Sequence, residues 1–84
     1  MAKLKPEDIA LNNKIALRIK ELRESVCTNQ SEFAQTHFID RQLVSRWENT
    51  NDRRGVSIHT IHKFCNLIGI SLKEFFDSDL FKTD

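Results

Sequence analysis

Apolar side chains return along most of this chain with the period of a helix. Ile15, Ile19, Leu22 and Val26 follow one another at steps of four, three and four, which aligns them as one stripe and predicts a first helix over residues 10–25. Lys14, Arg18, Lys20, Glu21 and Glu24 fall on its other faces. Residues 1–9, with Lys3, Lys5 and Pro6, hold no sustained period and read as a loose arm. Asn29 followed by Glu32 has the form of a capping box, the first accepting from an orphan backbone N–H and the second reaching back. It opens a short second helix to about His37, with Phe33, Ala34 and His37 facing inward.

Phe38 and Ile39 read as a tight connection, because Asp40 is a good N-cap for a third helix from Arg41 to about Asn49 that buries Val44 and Trp47. From Asn49 to Ser57 the composition favours turns, and two arginines make this an exposed basic loop. Ser57 then caps a fourth helix whose Ile58, Ile61, Cys65 and Ile68 fall at steps of three, four and three, with Gly69 as a left-handed cap at its end. Ser71 and Glu74 form a second capping box for a short fifth helix bearing Leu72, Phe75 and Phe76. No strand-like alternation of useful length and no repeat is present. The expected fold is therefore all-α, a compact five-helix domain over residues 10–78, between a flexible arm at 1–9 and an acidic tail at 79–84.

Composition narrows the class. Eighty-four residues supply one core and no second domain. With 39% hydrophobic and 30% charged residues that core is modest, so stability is marginal and pairing with a second chain would help. Cys27 and Cys65, in a chain with no secretory segment, read as reduced thiols of a cytoplasmic protein. No apolar run approaches the roughly 20 residues that span a bilayer. A net charge of +1 is small for a nucleic-acid binder, yet its distribution is uneven. Arg41, Arg46, Arg53 and Arg54 face only Glu48 and Asp52 over residues 41–54, whereas Glu74, Asp77, Asp79 and Asp84 outweigh Lys73 and Lys82 at the C-terminal end. The basic stretch favours approach to phosphate and the acidic end opposes it.

Two short helices joined by a tight turn are the geometry of a helix-turn-helix, whose second helix can enter the major groove. The third helix places Arg41, Gln42, Leu43, Ser45 and Arg46 on its outer side. Arg and Gln read guanine and adenine edges by paired hydrogen bonds, and Leu can touch a thymine methyl. A merely solvated helix face uses the same residue types.

Several segments carry a family likeness: Arg23, the run Asn29-Gln30-Ser31-Glu32-Phe33-Ala34, the stretch from Ile39 through Arg41, Gln42, Val44, Arg46 and Trp47 to Glu48-Asn49, and the stretch from Leu67 to Phe76. In order and spacing they resemble the lambda-repressor-like, Cro/C1-type helix-turn-helix domains, also called the xenobiotic response element family, over about residues 13–76. The resemblance implies a homodimeric transcription regulator, a repressor or controller, bound to a palindromic site in double-stranded DNA. It implies base reading by Arg41, Gln42 and Arg46, with Ser45 reaching base or phosphate, while Leu43 joins the base-reading set as the residue suited to a thymine methyl. Phosphate contacts would come from Gln30, Asn49, Arg53 and Arg54, and Arg23 with Glu48 would form a structural salt bridge. The sequence departs from the family at Phe38, where a glycine is usual, at His37, where a leucine is common, and at Cys27, Thr28 and Thr50. A non-glycine residue in a left-handed turn costs about 1 kcal/mol.

Other chemistry finds less support. His59, His62 and Cys65 fall at steps of three, but they sweep an arc around the helix, Cys65 belongs to the apolar stripe, and a zinc site wants a further ligand or an open position. No metal or cofactor is expected. Nor is an enzyme, for no phosphate loop or nucleophile elbow occurs and Cys27 with His37 is a lone pair of reactive types. The competing class is a protein-interaction module, such as an antitoxin, that binds a partner protein through Leu72, Phe75, Phe76, Leu80 and Phe81. Alternatively Leu72, Phe76, Leu80 and Phe81 form a homodimer seam. The clustered Arg and Gln of the third helix, which a pure adaptor would not need, favour DNA.

Overall fold

The computed structural model describes residues 5–51 and 55–82. Five α-helices follow in chain order, α1 (Pro6–Val26), α2 (Gln30–Thr36), α3 (Arg41–Trp47), α4 (Ile58–Ile68) and α5 (Leu72–Phe76), and a 3₁₀ turn closes the chain at Asp79–Phe81. Among the described residues there is no strand, and no helix is long and apolar enough to cross a membrane.

Local chemistry accounts for most of the helix boundaries. Asn29 Oδ1 accepts from Ser31 and Glu32 N–H, Asp40 Oδ1 from Gln42 N–H, and Ser57 Oγ from Thr60 N–H. These side chains satisfy donors that a helix start leaves orphaned. Ser71 and Glu74 make the full reciprocal box. At Asn29 the box is half made, since the Glu32 carboxylate accepts instead from Cys27 Sγ at 3.6 Å. The arm expected over residues 1–9 is shorter than that, because α1 already begins at Pro6. Proline at the first helical position has its φ preset and lacks only an N–H that would be orphaned anyway, and Glu7 and Asp8 set negative charge against the helix N-terminus.

Phe64 sits at the centre of the core. Its ring lies 6.1 Å from Phe33, 6.1 Å from Trp47 and 6.2 Å from Phe75, so one side chain of α4 joins α2, α3 and α5. Ile15, Ile19, Ala34, Val44, Ile61 and Cys65 complete the buried cluster. Two expected stripes are corrected. On α1 the buried set is Ile15, Ala16, Ile19 and Arg23, while Val26 is 57% exposed. On α4 it is Ile61, Phe64 and Cys65, while Ile58 is 51% exposed. Both outliers stand in a terminal turn, where the apolar period runs on past the packed core.

The acidic tail expected from residue 79 is in part folded. Ser78 caps the 3₁₀ turn, and Phe81 returns to lie 5.0 Å from Phe76 and 6.2 Å from Phe75 between ring centres. Arg18, placed by the sequence off the apolar stripe of the first helix, ties this end to α1. Its Nε donates to Phe75 O at 2.7 Å and its Nη2 to Glu74 O at 3.0 Å, a cation placed on carbonyls at a helix C-terminus.

Gly55 holds the loop ahead of α4. It stands at φ +68, a left-handed conformation that favours glycine, and a β carbon there would come within 2.5 Å of the Asn12 side chain of α1, which would have to shift.

Candidate nucleic-acid interface

The α2–turn–α3 pair presents one side of α3 outward. Val44 and Trp47 are buried, Leu43 is half-buried against the core, and Arg41, Gln42, Ser45 and Arg46 are exposed. At 3.6 residues per turn the exposed four cover an arc of about 140°, wide enough to present a polar ridge to a partner. The Asp40 cap and the edge-on contact of Trp47 with Phe64 at 6.1 Å fix both ends of this helix. Four of the five residues expected to read bases therefore share one exposed face. Leu43 is the correction, because it turns partly inward and lines a hollow with Arg46, Trp47, Val56 and Thr60.

Behind this face lies a buried polar junction. Arg23 Nε donates to Glu48 Oε2 at 2.8 Å and Arg23 Nη2 to Glu48 Oε1 at 2.9 Å, a bidentate pair whose two side chains are each 4% exposed. Arg23 Nη1 donates to Thr28 O at 2.8 Å and Cys27 O at 3.1 Å, so the guanidinium also closes the α1–α2 connection. The hydrogen bonds to Glu48 raise the Arg23 pKa against the opposing effect of burial. Among the described residues no buried side-chain nitrogen or oxygen lacks a partner.

Gln30, the first residue of α2, joins the same junction, its Nε2 donating to Glu48 Oε1 at 2.9 Å. An amide nitrogen carries two hydrogens, and the carboxylate engages one, which orients the group. This tie spans 18 positions and no local signal announces it. Helix α1, the end of α3 and the start of α2 thus meet on one carboxylate.

The remaining expected residues are placed less favourably or fall elsewhere. Asn49 is exposed, with its Oδ1 accepting from Asn51 N–H at 2.9 Å. Arg53 and Arg54 lie outside the described residues. Leu72, Phe76, Leu80 and Phe81 are all half-buried. Phe76 and Phe81 stack on each other, and Leu80 lines a hollow with Leu17, Lys20 and Glu24 of α1. The seam expected of these four is thus spent in part inside the single chain.

Cys27 and His37 serve separate contacts, the thiol toward Asn29 O and Glu32 and the imidazole against Phe33 at 4.5 Å. His59 and His62 are exposed while Cys65 is fully buried, and no group of three metal-ligating side chains converges among the described residues. Burial also pushes the Cys65 thiol above its ordinary pKa of 9.0.

No family model, no curated protein and no solved structure matches this chain.

Proposed function

We propose that this protein binds double-stranded DNA sequence-specifically as a transcription regulator of the lambda-repressor-like type, acting as a homodimer on a palindromic operator and without a catalytic role. The observation that carries the reading is the outer face of α3, where Arg41, Gln42, Ser45 and Arg46 stand exposed behind a capped N-terminus while Val44 and Trp47 anchor the opposite side. These residue types suit base edges in the major groove, and a recognition helix is useful only if its support is rigid. The buried Arg23–Glu48 pair supplies such support. It also aims Gln30, at the start of α2, as a donor to the phosphate backbone. Phosphate contacts then set register and base contacts set sequence.

The competing reading, an adaptor that captures a protein through its C-terminal phenylalanines, loses ground because Phe75 is buried and Phe76 and Phe81 stack within the chain.

Selection of bound sites from a random duplex library, followed by titration against salt, tests the proposal. The expected result is an enriched palindrome whose affinity falls steeply with salt. Weak binding without enrichment would overturn it.

A further inference from the structure

Helices α2 and α4 end in the same way. Beyond α4, Gly69 stands at φ +74 and Ile70 N–H returns to Cys65 O at 3.0 Å. Beyond α2, Phe38 stands at φ +57, its N–H reaches Gln35 O at 3.3 Å, and Ile39 N–H returns to Ala34 O at 2.9 Å. Both are closures on a left-handed residue, which glycine adopts without penalty and a residue with a β carbon does not. At Gly69 a β carbon would meet nothing within 4 Å, so glycine is there for its backbone alone. At Phe38 the chain accepts the strain and mounts a phenyl ring on it.

The ring gains nothing from the fold in return. Of the six phenylalanines, Phe33, Phe64 and Phe75 are buried and Phe76 and Phe81 half-buried, while Phe38 is 95% exposed. Backbone strain and an unburied aromatic ring coincide in one residue, and such outliers concentrate where a protein meets its ligand. The turn that carries it is held on both sides, since His37 lies against Phe33 at 4.5 Å before it, and after it Ile39 packs against the core and Asp40 is bonded to Gln42 N–H at 2.8 Å. Phe38 lies three residues ahead of Arg41, and three residues of chain span at most about 10 Å. It therefore adjoins whatever the N-terminal end of α3 touches.

Resting on the DNA reading above, we propose that Phe38 is a specificity-determining residue that packs against the 5-methyl group of a thymine at the edge of the half-site read by Arg41 and Gln42. A phenyl ring forms no conventional hydrogen bond with a base edge, and the apolar group that a base presents in the major groove is the thymine methyl. Leu43, the other apolar residue of this region suited to that contact, turns partly inward. The contact distinguishes thymine from cytosine by the methyl group, without a polar reader.

The test uses the full chain and the duplex it selects. Each thymine of the half-site is replaced in turn by uracil, which lacks only the methyl, and affinities are measured for the wild type and for Phe38→Gly. At one position the wild type should lose about fourfold, the equivalent of one buried methyl group, and Phe38→Gly should lose nothing there. Phe38→Gly should also bind the thymine duplex more weakly while melting no lower than the wild type, which separates a lost contact from a damaged fold. Equal binding of thymine and uracil duplexes by the wild type at every position, or undiminished binding by Phe38→Gly, would overturn this inference alone and turn attention to a protein partner for the ring. A wild type that enriches no sequence would overturn it together with the reading beneath it.

Discussion

The two buried regions of this molecule are built on opposite principles. The aromatic centre around Phe64 gathers Phe33, Trp47 and Phe75 at ring separations of 6.1 to 6.2 Å by contacts that follow area and shape. The polar junction gathers Arg23, Glu48 and Gln30 by hydrogen bonds of 2.8 to 2.9 Å, whose directions are fixed. The first joins α4 to α2, α3 and α5 and, through Trp47, holds α3 in place. The second ties α1 to α2 and to the end of α3, and also sets the direction of the Gln30 amide. An apolar centre thus secures the fold, and a buried ion pair secures an orientation, at the expense of desolvating two charges.

Removing the hub of the aromatic centre should have the largest effect on stability. Phe64→Ala is expected to lose about 3 to 5 kcal/mol through lost transfer energy and the cavity left among three rings, read as a lowered midpoint in denaturant. In a protein this small that loss approaches the whole stability.

Breaking the junction from one side comes next. Glu48→Ala leaves the Arg23 guanidinium buried without its carboxylate, and about 3 kcal/mol should be lost. Replacing both partners, Arg23→Met with Glu48→Leu, should restore much of the thermal stability, because a well-packed apolar pair avoids the desolvation. It should not restore the orientation of Gln30, so DNA affinity should stay low while the melting temperature recovers. Parallel recovery of the two would show that the junction acts through stability alone.

Gln30→Ala sharpens the same point with a smaller effect. It removes one hydrogen bond from an uncharged amide to the Glu48 carboxylate, worth about 2 kcal/mol, and should weaken binding to all duplexes alike. Because the amide is uncharged and releases no counterion, the slope of affinity against salt should be unchanged.

The smallest effect belongs to Cys65, at the edge of the aromatic centre. Its thiol pKa is raised in the folded state by burial, so the folded chain keeps its proton at a pH where the unfolded chain loses it. Stability from this group is full below the unfolded value of 9.0 and falls as pH rises from there through the folded value. Unfolding measured across this range should show the decline, and Cys65→Ala should remove that part of it. Under native conditions a thiol reagent should modify the half-buried Cys27 well before Cys65.

What the sequence determined by itself is local in origin. The caps at Asn29, Asp40, Ser57 and Ser71 and the left-handed Gly69 are decided by neighbours within a few residues, so five helices and the exposed arc of α3 are legible without coordinates. That Phe38 stands where a glycine is usual is implied by the family resemblance; its left-handed φ and its near-total exposure come from the structure. Tertiary structure decided what depends on partners far along the chain, although the family resemblance implies the Arg23–Glu48 pair. Apolar periodicity alone favoured Leu22 and Val26 for the buried side of α1, but Glu48, 25 positions away, draws Arg23 into that side. The period of α4 admits Phe64 as readily as Ile58, and only the rings of three other helices bury one and leave the other in solvent. Arg18 looks like any surface cation until Phe75 O, 57 positions on, comes within 2.7 Å. The physical reason is common to all of these cases. Capping and turn preferences are properties of a short segment, whereas burial, ion pairing and ring contacts exist only once the chain has brought distant segments together.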